Sequence, residues 1–157
     1  MDVKVFVEIP EGSTVKYERD EETGQLKVDR LLFTPMAFPM SYGLIEGTKG
    51  KDGDPLDAVV FLSKPIVPGV VVKCQVIGLL EMEDEEGIDH KVICVPVAKV
   101  DPICGTWASL NDIPAAKKDA VRHFFEHYKD LEPGKWVKLQ DWQPKEVAEK
   151  LINQSKV

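Results

Sequence analysis

Cysteine is scarce in this chain of 157 residues: Cys74, Cys94 and Cys104 are an odd number and form no C-x-x-C pair. That spacing suits neither a disulfide framework nor a thiolate zinc site. Cys74 and Cys94 stand in apolar, strand-like runs, where small core residues are expected. Positive charge is also short, since 20 Lys and Arg against 27 Asp and Glu leave a net charge of −7. The balance excludes a protein whose main task is to grip nucleic acid or an anionic membrane, and an anionic ligand would need cations to mediate its contact. No apolar run nears the roughly 20 residues of a membrane span. The opening MDVKVFVEIP lacks the basic-then-apolar order of a signal peptide. A soluble, cytoplasmic protein is the expectation. No linker and no internal repeat interrupts residues 1–157, so a single domain is expected as well.

What is present is a series of short strands. Val3, Val5, Val7 and Ile9 alternate with other residues up to Pro10, the pattern of a half-buried strand. STVKYER and QLKVDRLLF flank DEETG, a hairpin signature with Gly24 in its turn. Residues 34–53 are rich in Pro, Gly, Met and aromatics and predict an ordered loop carrying one short strand. AVVFL, VVVKCQVIGLLEM and KVICVPVAKV are β-branched runs, and KWVKLQDW is one more. Two helices complete the reading. The first takes its start signals from Asn111, Asp112 and Pro114, places Val121, Phe124, Phe125 and Tyr128 on one face, and stops at EPG, 132–134; PKEVAEKLINQ is the second. The expected fold class is α+β, with a small closed β-barrel (OB-like) core, two helices and additional hairpin strands.

The stretch DGDPLD, residues 52–57, sets three carboxylates within six residues, directly before the apolar run AVVFL. At an effective dielectric near 20, two carboxylates roughly 5 Å apart repel by about 3 kcal/mol, so solvent or cations must offset the crowding. An acidic, solvated turn is the plain reading. A calcium EF-hand fails, because counting from Asp52 places Leu56 at position five, Asp57 where Gly belongs and Ser63 where Glu belongs. A second acidic group, Asp84, Glu85, Glu86 and Asp89, falls in a turn between strands; set opposite DGDPLD across a barrel, it would add oxygen ligands for a hard cation such as Mg²⁺. Lys16, Arg30, Lys91, Tyr42, Tyr128 and Lys129 are then the donors that a phosphoryl-transfer site needs.

Two other readings compete. HFFEH at 123–127 matches the H-x-x-E-H zinc pattern, with His123 and His127 as ligands and Glu126 as base. Against it, His123, His127 and Asp130 share the side of the helix turned away from its apolar face, which suits an oligomer contact. An oligonucleotide-binding barrel would need a basic groove with stacking aromatics, and the acidic balance opposes it.

The chain resembles the soluble, magnesium-dependent inorganic pyrophosphatases of family I in their short prokaryotic form. The likeness runs from EIP at 8–10 to KWVK at 135–138. It rests on DGDPLD together with KYE at 16–18, VDR at 28–30, YG at 42–43, DEEGIDHK at 84–91 and HFFEHYKDLEPGKW at 123–136, all in the family's order. The resemblance implies hydrolysis of pyrophosphate to two phosphates by in-line attack of Mg²⁺-activated water, without a phosphoenzyme. It implies Asp52, Asp57 and Asp89 as ligands of the activating metals, with Asp84 on a further Mg²⁺ and Glu8 and Glu18 completing the acidic lining. Asp54 would be the general base. Lys16, Arg30, Tyr128 and Lys129 would hold the phosphates, with Lys91 and Tyr42 beside them. Several Mg²⁺ per site are implied, with substitution by Mn²⁺ or Zn²⁺ left open, and a homohexamer is expected. One position departs from the family, which often has Tyr where this chain has Phe38.

Overall fold

A computed structural model describes residues 1–157. The alternating valines form β1 (Asp2–Ile9), and the DEETG turn joins β2 (Val15–Arg19) to β3 (Leu26–Leu31). β4 (Ser41–Ile45) is the short strand inside the Pro-rich loop, and β5 (Asp57–Val60) begins on the last aspartate of DGDPLD. β6 (Val71–Asp84), β7 (Gly87–Ile88) and β8 (Lys91–Pro96) follow, then α1 (Ala115–His127), β9 (Val137–Pro144) and α2 (Lys145–Ser155).

Five of the strands close a barrel. β1 pairs with β4, β4 with β5, β5 with β8 and β8 with β6, and β6 returns to β1 through Val71–Gln75 against Asp2–Phe6. Only β5–β8 is parallel. The 14 residues of β6 are enough to serve β1, β8 and β9 in turn, and two register shifts let the strand bend around the barrel. Closure leaves no barrel strand with a free edge.

The unbroken apolar runs have a simple cause: both faces of the barrel wall are covered. Ala58, Val60, Val92 and Cys94 join Val3, Val5, Val7 and Cys74 in one cluster that draws on all five barrel strands, together with Ala148 and Ile152 of α2. The alternate residues Val59, Ile93 and Val95 pack with Val121, Phe124 and Phe125 of α1 in a second, outer layer.

Helix α1 starts later than its sequence signals predict. Asn111 and Asp112 belong to a separate 3-10 turn, Leu110–Asp112, capped by Ser109, whose hydroxyl accepts the Asn111 N–H. Pro114 keeps Ile113 extended (φ −76°, ψ 127°), so no helix crosses that point and α1 begins at Ala115. At the other end α1 stops at His127, and residues 128–135 continue as a series of turns carrying Tyr128, Lys129, Glu132 and Lys135.

Candidate active site

The barrel strands deliver polar side chains to one mouth. In β1 a bulge sets Val7 opposite Gly43 and Ile9 opposite Tyr42, so Glu8 is the extra residue. The strand changes face there, since Val7 belongs to the inner core and Ile9 to the outer. Gly43 allows β1 and β4 this approach: a Cβ on it would lie 2.0 Å from the Phe6 carbonyl oxygen. Glu8 is buried and accepts the Arg19 N–H at 2.8 Å, but burial outweighs that bond and pushes its carboxyl up to about 7.

Parallel pairing of β5 with β8 places Asp57 beside Lys91. Lys91 is 1% exposed. Its ammonium donates to Asp57 Oδ2 at 2.8 Å and to the Tyr42 hydroxyl at 2.9 Å, and lies 2.8 Å from Asp89 Oδ2. Burial alone would drive the proton off Lys91; the two carboxylates reverse that and hold it charged. They do not share the benefit equally. For Asp57 the attraction of Lys91 and its hydrogen bonds overcome burial, so its carboxyl sits below the usual range. For Asp89 burial, reinforced by the charge of Asp57, prevails and lifts the carboxyl to about 7.

The DGDPLD loop is held by its own backbone. The Gly50 N–H donates to the Asp54 carbonyl at 2.7 Å, the Gly53 N–H to the Gly50 carbonyl at 3.0 Å, and the Asp54 N–H to Asp52 Oδ1 at 3.0 Å. Gly53 has φ +91°, a left-handed conformation that a side chain would strain. Burial and then repulsion from Asp52, Glu21, Glu18 and Asp57 raise the Asp54 carboxyl above its ordinary value.

The same cavity holds cations, each tethered by a carboxylate. Lys129 donates to Asp84 Oδ2 at 2.9 Å, and this bond with the Glu86 N–H outweighs burial and keeps Asp84 below the usual carboxylate range. Lys16 donates to Asp29 at 3.2 Å, and Arg30 donates to the same Asp29 oxygen at 2.6 Å. Tyr128 stacks on Phe124 with ring centroids 5.2 Å apart.

All thirteen residues expected from the sequence (Glu8, Lys16, Glu18, Arg30, Tyr42, Asp52, Asp54, Asp57, Asp84, Asp89, Lys91, Tyr128 and Lys129) line a single cavity of about 470 Å³. Its walls hold eleven carboxylates against six Lys or Arg and include no Ser, Thr, Cys or His. Sequence reasoning gave no role to Asp29, Lys135 or Glu132. Asp29 and Lys135 line the cavity, and Glu132 is buried behind it. Their signal was place within quoted motifs: Asp29 directly precedes Arg30 in VDR, and Glu132 and Lys135 flank Pro133-Gly134 in HFFEHYKDLEPGKW. Phe38 is not on the wall; it is 2% exposed and packs against Phe124 at 4.6 Å and Tyr42 at 5.9 Å in the outer core.

The donors suit a hard divalent cation. They are oxygen throughout, and the surplus of carboxylates leaves Glu8, Asp54 and Asp89 with raised pKa values, the electrostatic stress a cation relieves. No three His, Cys, Asp or Glu side chains close on one point anywhere; Lys91 and Lys129 hold the nearest candidates instead. His123 and His127 are exposed and outside the cavity, with His127 Nδ1 2.7 Å from Asp130 and no third ligand, so the zinc-protease reading has no support.

Closed barrel and cavity together define a class: a small barrel protein with one concave site suited to a highly charged ligand. The family model described as inorganic pyrophosphatase matches residues 5–157. Inorganic pyrophosphatase of Gluconobacter oxydans is 54% identical over 151 residues, covering 96% of this chain and 87% of its own. Among solved structures, an inorganic pyrophosphatase from Coxiella burnetii superposes with a TM-score of 0.94 at 46% identity, over 98% of this chain and 92% of that one. The enzyme from Helicobacter pylori gives 0.95 at 42%, over 98% and 91%. The chain belongs to the inorganic pyrophosphatase family.

Proposed function

We propose that the chain hydrolyses inorganic pyrophosphate to two phosphates in this cavity, by direct attack of water and without a phosphoenzyme. The observation that carries the reading is the lining itself: eleven carboxylates and six Lys or Arg in one cavity, oxygen ligands for cations beside donors for phosphate oxygens. Asp52, Asp57 and Asp89, with Asp84 and Glu8, would hold Mg²⁺. When bound, such cations neutralise phosphate oxygens and make the attacking water more acidic. Asp54 receives the proton of that water; its carboxyl, lifted by burial and by its acidic neighbours, is a better base than an ordinary aspartate. Lys16, Arg30, Lys129 and Tyr128 hold the phosphate oxygens and stabilise the charge that builds on the leaving group. Lys91 and Tyr42 fix Asp57 and Asp89 in place. The protein acts as a single domain of the cytoplasm and assembles as a homohexamer, a state that sedimentation would read directly.

The test separates the roles of two aspartates in one motif. Asp54→Asn is expected to lower kcat by about 10²–10⁴-fold with little change in the Mg²⁺ requirement. Asp57→Asn is expected to raise the Mg²⁺ concentration needed for half-activity. A wild-type kcat in the first variant, or an unchanged metal titration in the second, removes that residue from its role.

A further inference from the structure

Glu132 is the best-buried carboxylate behind the cavity, 5% exposed, and it does not line the cavity itself. A buried carboxylate must be partnered, and the partners here are two cations that do line it. Oε2 accepts from the Arg30 Nη2 at 3.1 Å; Oε1 lies 2.8 Å from Arg30 Nε and 3.3 Å from Lys135 Nζ. Arg30 is 102 residues away in sequence, on the hairpin, whereas Lys135 follows three residues later in the same turn. Glu132 therefore ties together two cations of the lining that come from separate parts of the chain.

The clamp on Arg30 is two-sided, since its other terminal nitrogen donates to Asp29 at 2.6 Å. Of a guanidinium's five N–H donors, one on each terminal nitrogen is engaged here and the other on each stays uncommitted, while the buried Nε sits beside Oε1 in the ion pair without a hydrogen bond; the group lines the cavity. Lys135 is 41% exposed at its side chain, and without Glu132 it would be an ordinary mobile surface lysine.

We propose that Glu132 is a positioning residue for the reaction: it fixes Arg30 and Lys135 at one spacing, so that both meet the oxygens of the same phosphate group. This rests on the reading of Arg30 as a phosphate-holding residue. A glutamine is no substitute, because its NH₂ would face the guanidinium as a second donor and its charge no longer holds Lys135.

The test is a mutant cycle with kcat and KM for pyrophosphate read separately, beside calorimetric binding of inorganic phosphate in Mg²⁺. Arg30→Ala alone is expected to raise KM; an unchanged KM there overturns the reading of Arg30 and this proposal with it. Given that increase, Glu132→Gln is expected to raise KM about tenfold with kcat within about threefold, and to weaken phosphate binding in parallel. On an Arg30→Ala/Lys135→Ala background the same change is expected to add less than about twofold. An equal effect on both backgrounds, or a fall in kcat at constant KM, overturns Glu132 alone. Should Glu132→Gln lose its fold, Glu132→Asp, which keeps the charge but withdraws it by one methylene, carries the same cycle with the same outcomes.

Discussion

Glu8 and Asp89 both stand near 7, far above the ordinary carboxylate range, because each is buried among charges of its own sign with too little compensation. A carboxyl raised in the folded state binds its proton more tightly there than in the unfolded chain. Its contribution to stability is complete below the unfolded value and is lost as pH rises through about 7. His90 works in the opposite sense: burial holds it below its usual value, so its contribution is lost as pH falls. The two carboxylates are therefore read most cleanly above pH 6.5. With the metal chelated, stability is expected to fall between pH 6.5 and 8 by on the order of 1 kcal/mol. Saturating Mg²⁺ is expected to remove the slope, since a cation replaces the protons. Urea unfolding at several pH values checks this; a stability that rises over that window in chelator contradicts the electrostatic reading of the mouth.

At the scale of elements, a buried carboxylate also ties loops together away from the site. Asp101, 5% exposed, accepts from the Ser63 N–H at 2.8 Å, the Ser63 hydroxyl at 3.1 Å, the Ile103 N–H at 3.0 Å and the Cys104 N–H at 3.2 Å. It binds the segment after β5 to the segment after β8 and lies outside the cavity. Asp101→Ala leaves those donors unmatched and is expected to cost about 2–4 kcal/mol in urea unfolding, with kcat of the folded protein unchanged. A loss below about 0.5 kcal/mol would show the two segments hold without it. The strands and both helices were legible because alternation and β-branched runs report burial directly, and DGDPLD was legible because three acids beside a buried strand demand an explanation. Asp101 and Glu132 were not, since an acid in a Pro- or Gly-flanked turn reads as solvated until the distant partner that buries it is seen. For Glu132 that partner, Arg30, is 102 residues away. The start of α1 lies beyond its sequence signals for a local reason: Asn111 and Asp112 belong to a 3-10 turn capped by Ser109, with Asp112 accepting the Ser109 N–H, and Pro114 prevents that turn from running on.

For the whole molecule, the decisive quantity is where its negative charge sits. The net charge is −7, and the cavity's eleven carboxylates exceed its six cations by five, so most of the imbalance is gathered at one barrel mouth. A cavity of that sign repels a free polyanion, the repulsion that the Mg²⁺ proposed above would offset. No helix is long and apolar enough to cross a membrane, and the inner and outer cores leave the mouth as the place where polar chemistry concentrates. The measurement that tests this account most directly is phosphate release from pyrophosphate in Mg²⁺, in chelator, and in Zn²⁺ alone, beside a casein-cleavage control. The account predicts rapid release in Mg²⁺, none in chelator and no cleavage of casein under any condition. Absence of release in Mg²⁺, with casein cleaved in Zn²⁺, would contradict it and move the chemistry to His123 and His127.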